Sequence, residues 1–169
     1  EDDPQQTLRW RSENVGDSGR VAFRNGGVYL ITGGLGGLGL LFAREIFERA
    51  PDATVVLTGR SELSIDKRSA LDALSAQLSI PVGRLLYRQL DLSRRESAEA
   101  LVADIVAEFG SLTGVLHTAG MVRDGFMINK TSAEFAQVLE PKVLGTLHLD
   151  LATQHLDLDF IVLFSSDAS

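Results

Sequence analysis

The chain has 169 residues, of which 44% are hydrophobic and 23% are charged, as expected of a globular domain rather than a disordered segment. Its formal net charge of −7 argues against general binding to nucleic acid or to an anionic membrane, and no apolar run reaches the roughly 18 residues that span a bilayer. Because cysteine is absent, disulfides, thiol catalysis and cysteine-based metal sites are excluded, and the three histidines lack metal-ligand spacing. The N-terminus does not have the form of a signal peptide, so we expect a cytoplasmic protein.

Regular structure is predicted to begin at Gly27. Residues 1–26 are polar and irregular, and we interpret them as an arm, a linker or the tail of a preceding domain. After them come five short apolar runs, which are typical of strands buried on both faces of a sheet. These predicted strands are residues 28–31, 54–58, 85–90, 115–117 and 160–164.

Four stretches between the strands are predicted to be helices. The first follows a glycine-rich turn and ends before Pro51, and the others cover residues 66–79, 96–109 and 132 to about 155. Pro141 is expected to kink or restart the last helix, because proline lacks an N–H group and clashes one turn back. The apolar stripes of the four helices are Leu38, Phe42 and Ile46; Leu71, Leu74 and Leu78; Leu101, Ile105 and Phe109; and Leu144, Leu147 and Leu151.

The order of these elements predicts the fold class. Strands and helices alternate four times with short connections, and the chain ends shortly after a fifth strand. Such alternation predicts an α/β fold of the Rossmann type, in which helices cover both faces of a doubly wound parallel sheet in three layers. The fold is expected to be truncated after strand five.

A glycine-rich turn follows the first predicted strand. Residues 34–39 match the pattern G-x-G-x-x-G, between a strand and a helix in a βαβ unit of the expected size. Glycine allows a tight turn and a close approach of the backbone to a pyrophosphate, and the helix N-terminus presents free N–H groups to phosphate. We therefore predict a dinucleotide site; the alternative is a turn that binds nothing. Its predicted residues are Gly33, Gly34, Leu35, Gly36, Gly37, Leu38 and Gly39.

The end of the second predicted strand indicates which dinucleotide binds. NAD-binding folds usually place an acid there, which accepts a hydrogen bond from the ribose 2′-hydroxyl. Here the strand ends in Gly59, Arg60 and Ser61, and the first acid is Glu62. Because the arginine fork suits phosphate oxygens, the predicted cofactor is NADP(H), with its 2′-phosphate on Arg60. The alternative is that Arg60 is a solvated surface residue.

Two further strand ends are predicted to line the cofactor crevice. Asp91 and Leu92 follow the third strand, where Asp91 could accept a hydrogen bond from the adenine amino group. Alternatively, Asp91 or Ser93 caps the next helix. The fourth strand ends in small residues that would let the cofactor ribose approach the backbone. This segment is His117, Thr118, Ala119 and Gly120, of which His117 is interpreted as a hydrogen-bonded core residue rather than a catalyst.

Six motifs occur in one order and with one spacing. They are Thr32-Gly33-Gly34-Leu35-Gly36-Gly37-Leu38-Gly39, Leu57-Thr58-Gly59-Arg60-Ser61, Asp91-Leu92, His117-Thr118-Ala119-Gly120, Pro141-Lys142-Val143-x-Gly145-Thr146 and Phe164-Ser165-Ser166. Over residues 26–169 this set resembles the ketoreductase domain of modular polyketide synthases, a branch of the short-chain dehydrogenase/reductase superfamily. The resemblance implies that residues 27–169 are the N-terminal part of an NADP-binding catalytic subdomain. Residues 1–26 would then be the tail of the structural subdomain before it.

The resemblance also implies an activity and its catalytic residues. The activity is the NADPH-dependent reduction of a β-ketoacyl thioester on an acyl carrier protein, with other synthase domains as partners. Ser166 would hydrogen-bond the carbonyl oxygen, and Lys142 would support a proton relay. By themselves, a strand-end serine usually caps a turn and a helical lysine is usually solvated. Asp124 in Val122-Arg123-Asp124 stands where the B-type stereochemical class carries an aspartate; the alternative is a surface-loop carboxylate.

The resemblance places the tyrosine proton donor and an asparagine of the family beyond Ser169. Tyr29 and Tyr87 lie on early strands and cannot replace that tyrosine. We therefore expect the sequence to come from a longer polypeptide, and the 169-residue chain alone to be unstable and inactive. Two other functions remain open. One is a stand-alone short-chain dehydrogenase, although most of those carry asparagine where this chain has Lys142. The other is a reductase-like domain that binds NADP without catalysis.

Overall fold

The computed structural model of the protein describes residues 23–120 and 131–164. Strands and helices alternate along the described chain. They are β1 (Val28–Thr32), α1 (Gly37–Arg49), β2 (Thr54–Gly59), α2 (Ile65–Gln77), β3 (Leu85–Gln89), α3 (Arg95–Phe109), β4 (Gly114–His117), α4 (Ser132–Thr153) and β5 (Phe160–Leu163). Each predicted element is present, with ends that differ from the prediction by one or two residues.

The five strands form one parallel sheet in the order β3-β2-β1-β4-β5. The central strand β1 pairs with β2 and β4, so that Leu30 lies between Val56 and Val115. All five β1 residues are buried, because helices cover both faces of the sheet at its centre. The strand order reverses between β1 and β4, and ligands of such sheets bind at this switch point.

Helices pack on both faces of the sheet, which confirms the predicted three-layer α/β architecture. On one face, α1 and α2 bury Ile46, Phe47 and Leu71 against alternate residues of β1 and β2. On the other face, α3 and α4 bury Leu101 and Leu149 against the remaining strand residues. The alternation follows from strand geometry, since successive side chains point to opposite faces.

One predicted apolar stripe is largely exposed, and in another only Ile46 is fully buried, with Phe42 packed partly buried against the core. In α1 the buried residues are Gly39, Ala43, Ile46 and Phe47, whereas Leu38 is 48% exposed. In α4, Leu144 and Leu147 are exposed by 39% and 49%, and the buried residues are Gly145, Leu149, Ala152 and Thr153. In α4 the face with most leucines is therefore not the buried face.

Of the kink or restart predicted at Pro141, the restart does not occur. Helix α4 is continuous from Ser132 to Thr153 with Pro141 inside it. Proline removes one helical hydrogen bond, and the packing of α4 against α3 and the sheet supports the remaining turns. Within the described residues, no helix is both long enough and apolar enough to cross a membrane.

Candidate functional site

The carboxyl ends of β1 and β4 come into close contact at the switch point. Gly33 follows β1 with φ +68°, and a Cβ atom there would lie 2.7 Å from the Cα atom of Ala119. The backbone N–H and the hydroxyl of Thr118 both donate to the Thr32 carbonyl, at 3.1 and 2.7 Å. Only glycine fits this contact without strain, because a side chain would meet backbone atoms in a left-handed conformation. The two strand ends therefore form the floor of a crevice.

The N-terminus of α1 opens onto this crevice without a side-chain cap. Gly36 is the N-cap residue, no side-chain hydrogen bond caps the helix within the described residues, and its first turn contains no acidic residue. A Cβ on Gly39 would lie 2.5 Å from the Cα of Gly34, so glycine is what lets the helix start this close to the strand. The first-turn N–H groups have no intrahelical acceptor, and such groups bind phosphate oxygens. This arrangement could hold a diphosphate.

A cleft extends from this turn along the ends of β2 and β3. Its walls come from three places: the strand ends themselves, the loop after β4 and the middle of α4. The lining residues are Gly33, Thr58, Gly59, Arg60, Leu90, Asp91, Leu92, Ser93, Ala119, Gly120, Glu140 and Pro141. Seven of the sixteen residues that the sequence predicts for cofactor binding line this cleft: Gly33, Gly59, Arg60, Asp91, Leu92, Ala119 and Gly120.

Asp91 is held at this cleft by the residue two positions after it. Its Oδ1 accepts from the backbone N–H of Ser93 at 3.0 Å and from the Ser93 hydroxyl at 2.8 Å. These bonds hold the pKa of the Asp91 carboxyl below its usual value, and the positive charges of Arg60 and Arg94 lower it further. The N-cap of α3 is Arg94, with no side-chain bond, so the alternative of capping by Asp91 or Ser93 is wrong. Leu92 is buried, 7% exposed.

The segment that carries Arg60 and Ser61 is fixed by two side chains of β3. Gln89 Nε2 donates to the Arg60 carbonyl at 2.8 Å, and the Tyr87 hydroxyl donates to the Ser61 carbonyl at 2.5 Å. Burial raises the pKa of Tyr87, so the phenol keeps the hydrogen that it donates. Both backbone carbonyls are thus occupied, and the exposed Arg60 side chain projects from an ordered loop rather than a loose one.

The sequence reasoning missed Lys67 as a member of this site. Lys67 lines a second, more open part of the cleft together with Leu35, Gly36, Arg60 and Ser61. Its Nζ donates to the Ser61 hydroxyl oxygen at 3.3 Å, which leaves the Ser61 hydrogen free to donate elsewhere. Within residues 23–120 and 131–164, neither Arg60 nor Lys67 forms an ion pair. One feature of the sequence could have indicated this role. Lys67 is a cation in the first turn of α2, where the helix dipole disfavours a positive charge.

His117 lies below the cleft as a buried residue, 4% exposed. Its Nδ1 is 2.6 Å from the Thr32 hydroxyl, and its Nε2 is 2.9 Å from the Pro141 carbonyl. Burial lowers the pKa of the imidazole, while the bond to Pro141 opposes that shift. The structure therefore agrees with the interpretation of His117 as a hydrogen-bonded core residue.

The proton-transfer residues are described only in part. Lys142 is exposed on α4, directly after Pro141, and its carbonyl accepts from the Thr146 hydroxyl at 2.6 Å. Ser166 and Asp124 lie outside the described residues, so their predicted roles stay predictions. Among the described residues, no cluster of three His, Asp or Glu side chains could hold a metal ion.

Comparisons with known proteins agree on one family. The family model of the KR domain matches residues 27–169. The chain is 46% identical over 149 residues to polyketide synthase PksN of Bacillus subtilis (strain 168), covering 88% of this chain and 3% of that synthase. It is 45% identical to polyketide synthase PksL of the same strain, again covering 3% of the relative. The chain thus spans a very small part of these curated relatives.

A solved structure leads to the same family. A ketoreductase domain from the bacillaene assembly line matches with a TM-score of 0.80 at 45% identity, covering 88% of this chain and 34% of that one. The match extends over both the fold and the sequence, so it goes beyond a shared Rossmann topology. The chain therefore belongs to the KR domain family, the ketoreductase domains of polyketide synthases, and has the fold of the short-chain dehydrogenases/reductases.

Proposed function

We propose that this chain takes part in the NADPH-dependent reduction of a β-ketoacyl thioester, carried on an acyl carrier protein, to the β-hydroxyacyl thioester. The observation that supports it most is the cleft at the switch point. There an uncapped helix N-terminus and two cations without ion pairs in the described chain lie along one groove. Other domains of a synthase would deliver the carrier-bound substrate, as the multidomain relatives suggest.

The described residues fit NADP(H). The diphosphate would bind the first-turn N–H groups of Gly37 and Leu38, since the Gly36 N–H already donates to the Gly33 carbonyl at 2.9 Å. The 2′-phosphate would bind Arg60, the Ser61 hydroxyl and Lys67, and no acid stands where NAD-binding folds place one. Asp91, ionised at neutral pH, would accept from the adenine amino group. The charges of these residues thus complement the charges and donors of the cofactor.

The chain's own residues would prepare the carbonyl for reduction. When bound, NADPH supplies the hydride that reduces the β-carbon. Ser166 would donate a hydrogen bond to the carbonyl oxygen, where negative charge grows in the transition state, and such preorganised donors give large rate effects. Lys142 would support the relay that returns a proton to the donor of that oxygen. Both roles are those that the family resemblance implies.

The test is to measure β-hydroxyacyl product and NADPH consumption by the intact synthase that contains this chain. Ser166→Ala and Lys142→Ala should lower turnover and leave NADPH affinity nearly unchanged, because a transition-state contact affects rate rather than cofactor binding. Wild-type turnover in Lys142→Ala would contradict its role. NADPH binding without product in the unmodified synthase would favour a domain that binds the cofactor and does not catalyse.

A further inference from the structure

We infer that His117 is a positioning residue, which fixes the peptide group between Pro141 and Lys142 against the carboxyl ends of β1 and β4. The inference rests on the proposed function, since it gives the lysine a reason to be held. The imidazole bridges the Thr32 hydroxyl on β1 and the Pro141 carbonyl on α4, at 2.6 and 2.9 Å. One side chain therefore joins the floor of the crevice to its α4 wall.

The two partners determine where the imidazole proton lies. A carbonyl oxygen can only accept, so Nε2 carries the hydrogen and donates it to Pro141. In the neutral ring, Nδ1 is then an acceptor, and the Thr32 hydroxyl donates to it. Both ring nitrogens are occupied, which leaves His117 without a free group for substrate chemistry. Its effect on the reaction must therefore pass through the residues that it holds.

The bond to Pro141 acts directly on Lys142. The Pro141 carbonyl and the Lys142 nitrogen belong to the same peptide group, which is planar. Holding the carbonyl oxygen thus orients the plane from which the Lys142 Cα projects. Because Lys142 itself is exposed and no burial of its side chain fixes its direction, the backbone is the part of this residue that can be held.

Packing around the ring is consistent with this role. A Cβ atom on Gly145 would lie 3.4 Å from His117 Cε1 and 3.4 Å from Leu92 Cβ. The imidazole therefore sits against the helical turn that begins at Pro141, in the space that Gly145 leaves open. His148, one turn further along α4, donates to the Leu92 carbonyl at 2.7 Å and ties the same helix to the loop after β3. Hydrogen bonds therefore hold both ends of the segment from Pro141 to His148, which contains Lys142.

Two substitutions separate positioning from general support of the core. In His117→Gln the amide nitrogen can reach the place of Nε2 and still donate to Pro141. In His117→Asn the amide reaches only the place of Nδ1, so the bond to Thr32 can persist while the bond to Pro141 is lost. We expect His117→Asn to lower kcat of the intact synthase by about 10- to 100-fold, the cost of a misplaced catalytic group. His117→Gln should restore most of it, and the NADPH dissociation constant should stay near wild type in both.

A double-mutant cycle tests whether the effect passes through Lys142. In a Lys142→Ala background, His117→Asn should cause no further loss of the residual turnover. Full multiplication of the two losses would overturn the inference, as would equal losses in the asparagine and glutamine variants or a kcat that is unchanged while NADPH affinity falls. If Lys142→Ala lowers turnover and His117→Asn does not, the inference about His117 fails while the proposed role of Lys142 stands. Wild-type turnover in Lys142→Ala would instead refute the proposed role of the lysine.

Discussion

At the scale of single residues, the site is defined by side chains whose bonding capacity is not used up within the described part of the chain. Arg60 and Lys67 carry charges without ion pairs, although exposed arginines elsewhere, such as Arg95 with Glu99, form them along a helix. The Ser61 hydroxyl accepts from Lys67 and keeps its own hydrogen. Unpaired charges beside an ordered loop can bind an anion. Here Arg60, Ser61 and Lys67 line one groove and supply three donors.

The cofactor preference tests this arrangement. In the intact synthase, Arg60→Ala should weaken NADPH binding by about 1.5–3 kcal/mol, because a charge-assisted hydrogen bond to phosphate is lost. Lys67→Ala should cost less, about 1 kcal/mol, since an ammonium group binds phosphate as a point charge, whereas the arginine fork can bind two oxygens. NADH binding should change little in either variant, since NADH lacks the 2′-phosphate. Titration calorimetry with both cofactors measures these differences.

Arg68 provides the control for charge. It is an exposed cation next to Lys67 in α2, outside the residues that line the cleft. Arg68→Ala removes the same charge and should leave the NADPH affinity close to wild type. Equal losses in Arg68→Ala and Lys67→Ala would mean that general electrostatic attraction, not a built phosphate site, selects the cofactor.

At the scale of elements, the sequence predicted the type and order of all nine described helices and strands, and the buried faces of α2 and α3, but not the buried face of α4. A short apolar run such as residues 28–31, followed by a glycine-rich turn, is typical of a strand covered on both faces. In α4 the opposite holds, because a leucine-rich face and a face with Gly145 and Ala152 compete. Burial is decided by how closely the helix can approach the sheet, and that depends on residues distant in the sequence.

The same limit explains why Lys67 was missed and Arg60 was not. Arg60 belongs to a motif with a fixed distance from a strand end, so its place follows from topology. Ser64 is the N-cap of α2, and its hydroxyl oxygen accepts from the Lys67 backbone N–H. This places Lys67 in the first turn of the helix, from which it reaches the site. Its distance to Ser61 depends on a turn geometry that spacing alone does not give.

The glycines of the β1–α1 turn give an element-scale test with an internal control. A Cβ on Gly39 would meet the backbone of Gly34 at 2.5 Å, whereas a Cβ on Gly37 would meet nothing within 4 Å. Gly39→Ala should therefore destabilise the domain by about 1–3 kcal/mol, as overpacking does. Gly37→Ala should be at least as stable as wild type, since alanine favours helix by about 1 kcal/mol. Urea unfolding of the ketoreductase domain compares the two, and equal stabilities would contradict the close approach.

At the scale of the whole molecule, the parallel sheet gathers residues from distant parts of the chain at one edge. Thr32, His117 and Pro141 lie on three elements and form one hydrogen-bonded line beneath the cleft. A fold of this kind makes the stability of the domain depend on the protonation of a residue in its centre. The coupling can be measured without any ligand.

Acid should therefore weaken the domain through His117. Burial lowers the folded-state pKa of this residue below its ordinary value of 6.5. Well above pH 6.5 the ring is neutral in both folded and unfolded chains, so it contributes no pH dependence there. As the pH falls below that value, the unfolded chain binds a proton that the folded chain resists, and the free energy of unfolding decreases.

His117→Gln has no group that titrates there, so its stability should fall less steeply than that of wild type between about pH 6.5 and 5. Urea unfolding at a series of pH values measures both slopes. Every other residue is the same in the two proteins, so its contribution cancels in the comparison. Parallel slopes would show that His117 is as easily protonated in the folded domain as in the unfolded chain. That result would contradict a buried, neutral imidazole at this position.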